Sequence, residues 1–188
     1  MKISATGYWE DKAKLYHTCC EPLCNWIIDY LKDYKDKTLY DFGCGNGQYL
    51  AKLHAAGFTK MTGFEGSVPV YKEFDNIIQQ DLTIPFLLPE TGNCLFLEVA
   101  EHVPAQFENI MLDNIINSCN NKLIMSWARR GQGGYGHVNE KNNDEAILKM
   151  CSKGLIYLSE ESASAKNIIP NNDPCHWFKN TVLIFQKS

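Results

Sequence analysis

The sequence has no apolar run approaching the roughly 20 residues that a membrane-spanning helix needs. Its first residues, through Tyr8 and Trp9, show no apolar stretch leading into a small-residue cleavage site, so no secretory leader is expected. Positive charge is not in excess. Eighteen Lys and Arg stand against 22 Asp and Glu, a net charge of -4, which argues against wrapping nucleic acid by bulk electrostatics. Arg129-Arg130 is the only adjacent arginine pair and reads as part of a surface loop. No C-x-x-C pair occurs among the eight cysteines, and Cys19, Cys20 and Cys24 lack a matching second half for a zinc cluster. The thiols therefore read as reduced, in a cytoplasmic protein. Repeats, low-complexity tracts and linkers are absent too, which leaves one domain spanning residues 1–188.

What is present is an alternation of strands and helices. A helix is expected over residues 23–34, with Leu23, Ile27, Ile28 and Leu31 on one face. Strands are expected at 38–42, 60–64, 76–80, 94–97, 122–127, 155–158 and 181–185, and further helices at 48–56, 105–118 and 144–153. Gly57 and Gly154 close two of these helices. Strands separated by helices predict an α/β fold whose sheet is mostly parallel and covered on both faces. The last two strands show no clear helix between them and suit an antiparallel hairpin at the sheet edge. Ligands in such a fold bind at the carboxyl ends of the early strands.

The first strand runs into Asp41-Phe42-Gly43-Cys44-Gly45-Asn46-Gly47. Gly43, Gly45 and Gly47 permit a sharp turn and close approach of a ligand to the backbone at Cys44, and the next helix offers its unpaired N–H groups to an anionic end. Asp41 can accept from a ligand amine. A dinucleotide fingerprint would read G-x-G-x-x-G/A. Here the third glycine comes one residue early, at Gly47, which suits a nucleoside with an amino-acid tail better than a pyrophosphate. Glu65, followed by Gly66, ends the second strand, where a carboxylate can accept both ribose hydroxyls. Asp81 follows the third strand and can accept from an adenine amine while the Leu82 backbone meets the ring edge.

After the fourth strand, Glu98, Glu101 and His102 fall at i, i+3 and i+4, so in a helical turn they point the same way. Two carboxylates and an imidazole make a divalent-metal site, with His137, in the glycine-rich loop after the fifth strand, as fourth ligand. In a metal-free alternative Glu98 contacts the cofactor, Glu101 caps the next helix, and His102 or His137 takes a proton from the acceptor. A purely structural role for His102 also stays open. The loop of residues 131–136 reads as a mobile lid or a surface loop. Tyr8, Trp9, Tyr16 and His17, and Trp177-Phe178, are aromatics suited to closing a pocket or to packing.

Taken in series, residues 41–47, Glu65, Asp81 and the segment from Glu98 resemble the class I S-adenosylmethionine-dependent methyltransferase superfamily over roughly residues 39–187. The resemblance implies a Rossmann-like, seven-stranded core at 38–188, an N-terminal helical segment at 1–37 covering the cofactor site, and S-adenosylmethionine as cofactor. It gives cofactor contacts to Asp41, Gly43, Cys44, Gly45, Gly47, Glu65, Gly66, Asp81, Leu82 and Glu98. The E-x-x-E-H motif with a later histidine is similar to metal-assisted O-methyltransferases, among them small-RNA 3′-terminal 2′-O-methyltransferases and ubiquinone-pathway enzymes. That likeness implies Mg²⁺ or another divalent cation on Glu98, Glu101, His102 and His137. No Asn/Asp-Pro-Pro-aromatic motif or Pro-Cys nucleophile follows the fourth strand, which disfavours base methylation. The expectation is O-methylation of a small molecule, with RNA 2′-O-methylation and a non-catalytic cofactor-binding subunit as alternatives. The oligomeric state and the acceptor are not encoded in any motif.

Overall fold

Leu123-Ile124-Met125 and Val182-Leu183-Ile184-Phe185 are unbroken apolar runs, which require cover on both faces of a sheet. The structure, a computed structural model, describes residues 2–9, 18–67 and 71–188; Tyr16 and His17 lie outside them. Seven strands form one sheet: β1 (Leu39–Phe42), β2 (Met61–Glu65), β3 (Ile77–Gln79), β4 (Gly92–Phe96), β5 (Cys119–Ser126), β6 (Leu155–Tyr157) and β7 (Val182–Lys187). Their spatial order is β3-β2-β1-β4-β5-β7-β6. All neighbours are parallel except β7, which runs antiparallel to both β5 and β6.

The period-two alternation splits the core into two layers. Tyr40, Phe42, Phe64, Phe96, Met125 and Phe185 face one side, where α3 (Glu108–Ser118) and α4 (Asn143–Ser152) contribute Met111, Ile115, Ala146 and Met150. Leu39, Leu95, Ile124 and Ile184 face the other, against Leu23 and Ile27 of α1 (Glu21–Tyr30) and Leu50 and Leu53 of α2 (Gln48–Ala55). Gly57 takes φ +97° just past α2, and its N–H bonds the His54 carbonyl. That is the left-handed helix ending expected of a glycine at this place.

Three expectations change in detail. The helix expected at 23–34 is α1, starting earlier with Pro22 in its first turn and passing into a short 3-10 turn at Lys32–Tyr34. The helix expected at 105–118 begins as a 3-10 turn, Ala105–Phe107, and becomes regular only at Glu108. The last two strands do pair antiparallel at the edge, but they are joined through α5 (Ser159–Asn167) and the four-residue α6 (Phe178–Thr181) rather than by a hairpin turn. The sequence of α5 carries no apolar stripe because it buries only Ser162 and Ala165. Ser162 Oγ donates to the Leu158 carbonyl at 2.7 Å and accepts from the Ile184 N–H at 2.9 Å, so the helix is held to β7 by a hydroxyl.

The stretch 2–9, expected within a helical segment, is a tight turn closed by an antiparallel bridge between Ile3 and Trp9. Among the described residues no helix is long and apolar enough to cross a membrane.

Candidate active site

The carboxyl ends of β1, β2 and β4 open into a cleft of about 530 Å³. The turn after β1 builds its floor. Gly43 and Cys44 donate their N–H groups to the Phe64 carbonyl at 2.8 and 3.1 Å, while Gly47 caps α2 with φ +86°. Gly43 and Gly45 are left-handed as well, at φ +76° and +55°, a region costly to residues with a Cβ. Neighbouring side chains also require the glycines: a Cβ on Gly43 would lie 2.2 Å from Val99 Cγ2, and one on Gly47 2.8 Å from Phe74 Cβ.

Two carboxylates line this floor and behave differently. Glu65 accepts the Gly45 N–H on Oε2 and the Gly66 N–H on Oε1, both at 2.9 Å. Each oxygen keeps a second lone pair for a hydroxyl. Burial raises its pKa, and the backbone donors hold it down in part. Asp41 is 4% exposed and has no hydrogen bond from any described residue. Burial, with the Glu65 charge adding, pushes its carboxyl up to about 7. A buried carboxylate without a donor is costly, and one facing a cleft is suited to a cationic ligand group.

Asp81 and Leu82 also line the cleft. Asp81 Oδ1 already accepts from the Thr83 N–H (2.8 Å) and hydroxyl (2.7 Å), and Oδ2 from the Thr6 hydroxyl (2.8 Å). The turn-stabilising role that aspartate has in such loops is thus filled, and Thr6 brings the 3–9 turn over this end of the cleft. Ser67 Oγ donates to the Trp9 carbonyl at 2.7 Å, and a Cβ on Gly66 would lie 2.3 Å from Tyr8 Cβ. Gly66 is therefore needed for the closeness of this strap.

At the end of β4 the helical-turn expectation holds for Glu101 and His102 but not for Glu98. The turn, Ala100–His102, begins after Glu98, which takes φ +56°. Glu98 N–H donates to Ser126 Oγ at 2.7 Å, and that hydroxyl donates to Glu98 Oε1 at 2.8 Å. Burial pushes the Glu98 carboxyl up to about 7 despite the serine. Glu101 is fully buried, and neither carboxylate oxygen has a hydrogen-bond partner among the described residues. Its pKa is pushed well up by burial, with the Glu98 charge second; the Ala128 backbone lowers it slightly without reaching hydrogen-bond geometry.

The loop after β5 brings His137 to this carboxylate. Val138 and Asn139 donate their N–H groups to the Glu101 carbonyl at 2.9 and 3.0 Å. One ligand atom each from Glu101, His102 and His137 lie within 4.8 Å of one another, and the two imidazoles meet edge-on at 5.0 Å. Glu98 stands outside this group. His102 Nδ1 is 3.3 Å from the Gly136 carbonyl, and His137 Nδ1 is 3.0 Å from Glu140 Oε1. Acceptors at both Nδ1 atoms favour Nε2 as the lone-pair nitrogen of each ring. Glu140 also accepts from Gly131 and Gly133 at 2.8 and 2.7 Å, so one carboxylate staples the glycine loop and orients His137. The His137/Glu140 spacing is the signal in the sequence that could have found it; Ser126, at the end of β5, had none.

Trp9 packs edge-on to His102 at 5.6 Å, and Trp177 and Phe178 line the cleft with it. All eight cysteines are free thiols, as expected.

No family model matches the chain, and no curated protein matches its sequence. Solved structures do match its fold. The 1,6-didemethyltoxoflavin-N1-methyltransferase of Burkholderia thailandensis, with 1,6-didemethyltoxoflavin and S-adenosylhomocysteine bound, aligns at TM-score 0.68 with 12% identity over 94% of this chain and 81% of that one. The methyltransferase domain of bacterial CtHen1-CN aligns at TM-score 0.61 with 17% identity, covering 89% and 98%. The cyclase SpnF aligns at TM-score 0.64 with 13% identity, covering 98% and 87%. The seven-stranded order, the antiparallel β7 and these likenesses together give the chain the Rossmann-like fold of the S-adenosylmethionine-dependent methyltransferases.

Proposed function

We propose that the chain is an S-adenosylmethionine-dependent methyltransferase that acts on a hydroxyl of a small molecule. The observation that carries this reading is the pair of carboxylates on the cleft floor: Asp41 with no donor, and Glu65 fixed by two backbone N–H groups. Asp41 receives the cofactor's ammonium group and Glu65 its ribose hydroxyls. The strap of residues 3–9 and the Asp81-Leu82 turn close over the adenine end.

The second half of the reading is a divalent cation. Glu101 fits one because its two buried oxygens are orphaned, a condition that ligation relieves. Glu101, His102 and His137 would hold it, and when bound it would supply acidification of the acceptor hydroxyl. The residues' own part is to position that hydroxyl beside the methyl group and keep water out, with Trp9 and Trp177 as walls. The resemblance of the E-x-x-E-H segment to small-RNA 2′-O-methyltransferases, joined to this cluster, favours an RNA 2′-hydroxyl as the second reading. The net charge of -4 favours the small molecule.

The test is calorimetric titration of the chelator-stripped protein with S-adenosylhomocysteine, repeated with Mn²⁺ or Mg²⁺. Ligand ammonium favours the ionised Asp41, so below its pKa of about 7 binding must expel a proton. Affinity should therefore rise with pH, approaching about tenfold per unit below neutrality, and flatten above about pH 8. Asp41→Asn should lower that slope. The thioether ligand carries no charge at sulfur, so Glu98 contributes little to it. A wild-type affinity that is flat with pH would remove Asp41 from the ammonium site. Glu65→Ala should weaken binding by about 1–3 kcal/mol, the cost of leaving buried polar partners unpaired; unchanged affinity would sink the ribose assignment. Binding of short RNA in the same calorimeter would promote the second reading. Cofactor binding with no transfer to any acceptor would instead mark a non-catalytic subunit.

A further inference from the structure

At the start of α1, the fold supplies what Cys20 lacks in the sequence. Cys20 is the residue before α1, and its N–H donates to the Tyr49 hydroxyl at 3.2 Å. Asp173 and Cys175 belong to the turn that leads into α6. Cys175 N–H donates to Asp173 Oδ1 at 2.7 Å, leaving Oδ2 outside that bond. One ligand atom from each of Cys20, Asp173 and Cys175 lie within 4.8 Å of one another. Both sulfurs are buried, at 0% and 1% exposure, while Asp173 is half-exposed.

We propose that Cys20, Asp173 and Cys175 form a binding site for a thiophilic divalent ion of the Zn²⁺ class, which clamps the turn before α6 to the start of α1. This site is separate from Glu101, His102 and His137 and does not rest on the methyl-transfer reading.

Three arguments support it. The first is ligand type. Two thiolates and a carboxylate suit Zn²⁺, whereas Mg²⁺ and Ca²⁺ take oxygen ligands. The second is spacing. Bonds of about 2.3 Å to sulfur and 2.0–2.2 Å to oxygen bring the ligand atoms of one tetrahedral centre to about 3.5–3.8 Å, inside the 4.8 Å span within which these three atoms lie. The third is selectivity within the molecule. Cys94 and Cys119 also interact side chain to side chain, yet no third ligand joins them among the described residues.

The clamp bears on the cleft. His176, Trp177 and Phe178 line its wall, and the turn carrying them is set by the Asp173 and Cys175 carbonyls, which accept from the His176 and Phe178 N–H groups at 3.0 and 3.1 Å. Fixing Asp173 and Cys175 therefore fixes the wall.

Cobalt spectroscopy on the full chain, chelator-stripped and kept reduced with a non-thiol reductant, tests this directly. Co²⁺ should give a near-ultraviolet thiolate-to-metal band that Zn²⁺ displaces. The band should be lost in Cys175→Ser, retained in Cys119→Ala and retained in Glu101→Ala, whose cluster contains no sulfur. Asp173→Asn lies on a half-exposed turn and decides the matter even if Cys175→Ser fails to fold. It should weaken Co²⁺ binding by at least about tenfold, the lower bound for loss of even an outer partner of a metal ligand. No thiolate band in the wild type, a band that survives Cys175→Ser, or equal Co²⁺ affinity in the wild type and Asp173→Asn would each overturn the proposal.

Discussion

His102→Ala will leave S-adenosylhomocysteine binding intact and cut turnover by about 100- to 10,000-fold, the usual contribution of a positioned acid-base group. The imidazole is fixed from three directions. Gly136 accepts at Nδ1, Trp9 packs on the ring edge, and His137 lies 5.0 Å away on the other side. None of these partners belongs to the floor formed by Asp41, Gly45 and Glu65, so the cofactor half of the cleft is untouched. If His102 takes the acceptor's proton, the loss is of the base; if it holds a divalent ion, the loss is of one of three ligands. The two cases separate on added Mn²⁺, which restores part of the rate only in the second. The assay is formation of S-adenosylhomocysteine against a panel of small hydroxylated acceptors. Full activity in the variant would exclude both chemical roles and leave His102 as a packing residue.

Glu101→Met will stabilise the metal-free protein while abolishing any divalent-ion dependence. The carboxylate is fully buried with both oxygens unpaired, so in chelator its desolvation is uncompensated. A methionine of similar length removes that cost and keeps the volume filled. The expected gain is about 1–4 kcal/mol, by analogy with the replacement of buried charges by apolar groups. In a domain of this size each kcal/mol corresponds to about 2–4 °C in Tm. Its sign depends on pH in a definite way. The folded carboxyl pKa is raised above its unfolded value near 4.5, so the folded state binds more protons between the two. Wild-type stability attributable to this group therefore falls as pH rises from about 4.5 toward the folded pKa, and the advantage of the variant widens over that window. Divalent ion added to the wild type should narrow the gap. A variant that is less stable in chelator at neutral pH would show that Glu101 is satisfied within the protein, and the argument for a ligated carboxylate would fail.

The strands and most helices were legible because their apolar patterns survive in the sequence, as in the unbroken runs of β5 and β7 and the stripe of α1. The floor of the cleft was legible because positive-φ turns leave glycines behind. What could not be read was orientation. Glu98, Glu101 and His102 are correctly spaced for one face of a helix, but a 3-10 turn starting at Ala100 leaves Glu98 in a left-handed conformation, bound to Ser126. Long-range partners were equally silent. Nothing near Asp81 announces Thr6, and nothing near Cys20 announces Asp173 and Cys175, because such pairings come from topology rather than neighbourhood. Helix α5 escaped because a serine and an alanine do its packing.

The placement of β7 orders the assembly of the molecule in time. A chain emerging from the ribosome in the N-to-C direction can form the block β3-β2-β1-β4-β5 before β7 has been made. When β6 appears it has no neighbour in the sheet and rests on α4 alone, a bare edge until β7 slips in between it and β5. Pairing Ser126 with Val182 closes a separation comparable to that between β1 and β4, and long-range strand pairing is slow. The two walls of the cleft thus mature in sequence. The floor that holds Asp41 and Glu65 belongs to the part of the chain able to fold early, while Trp177 and Phe178, which immediately precede β7, reach their places last.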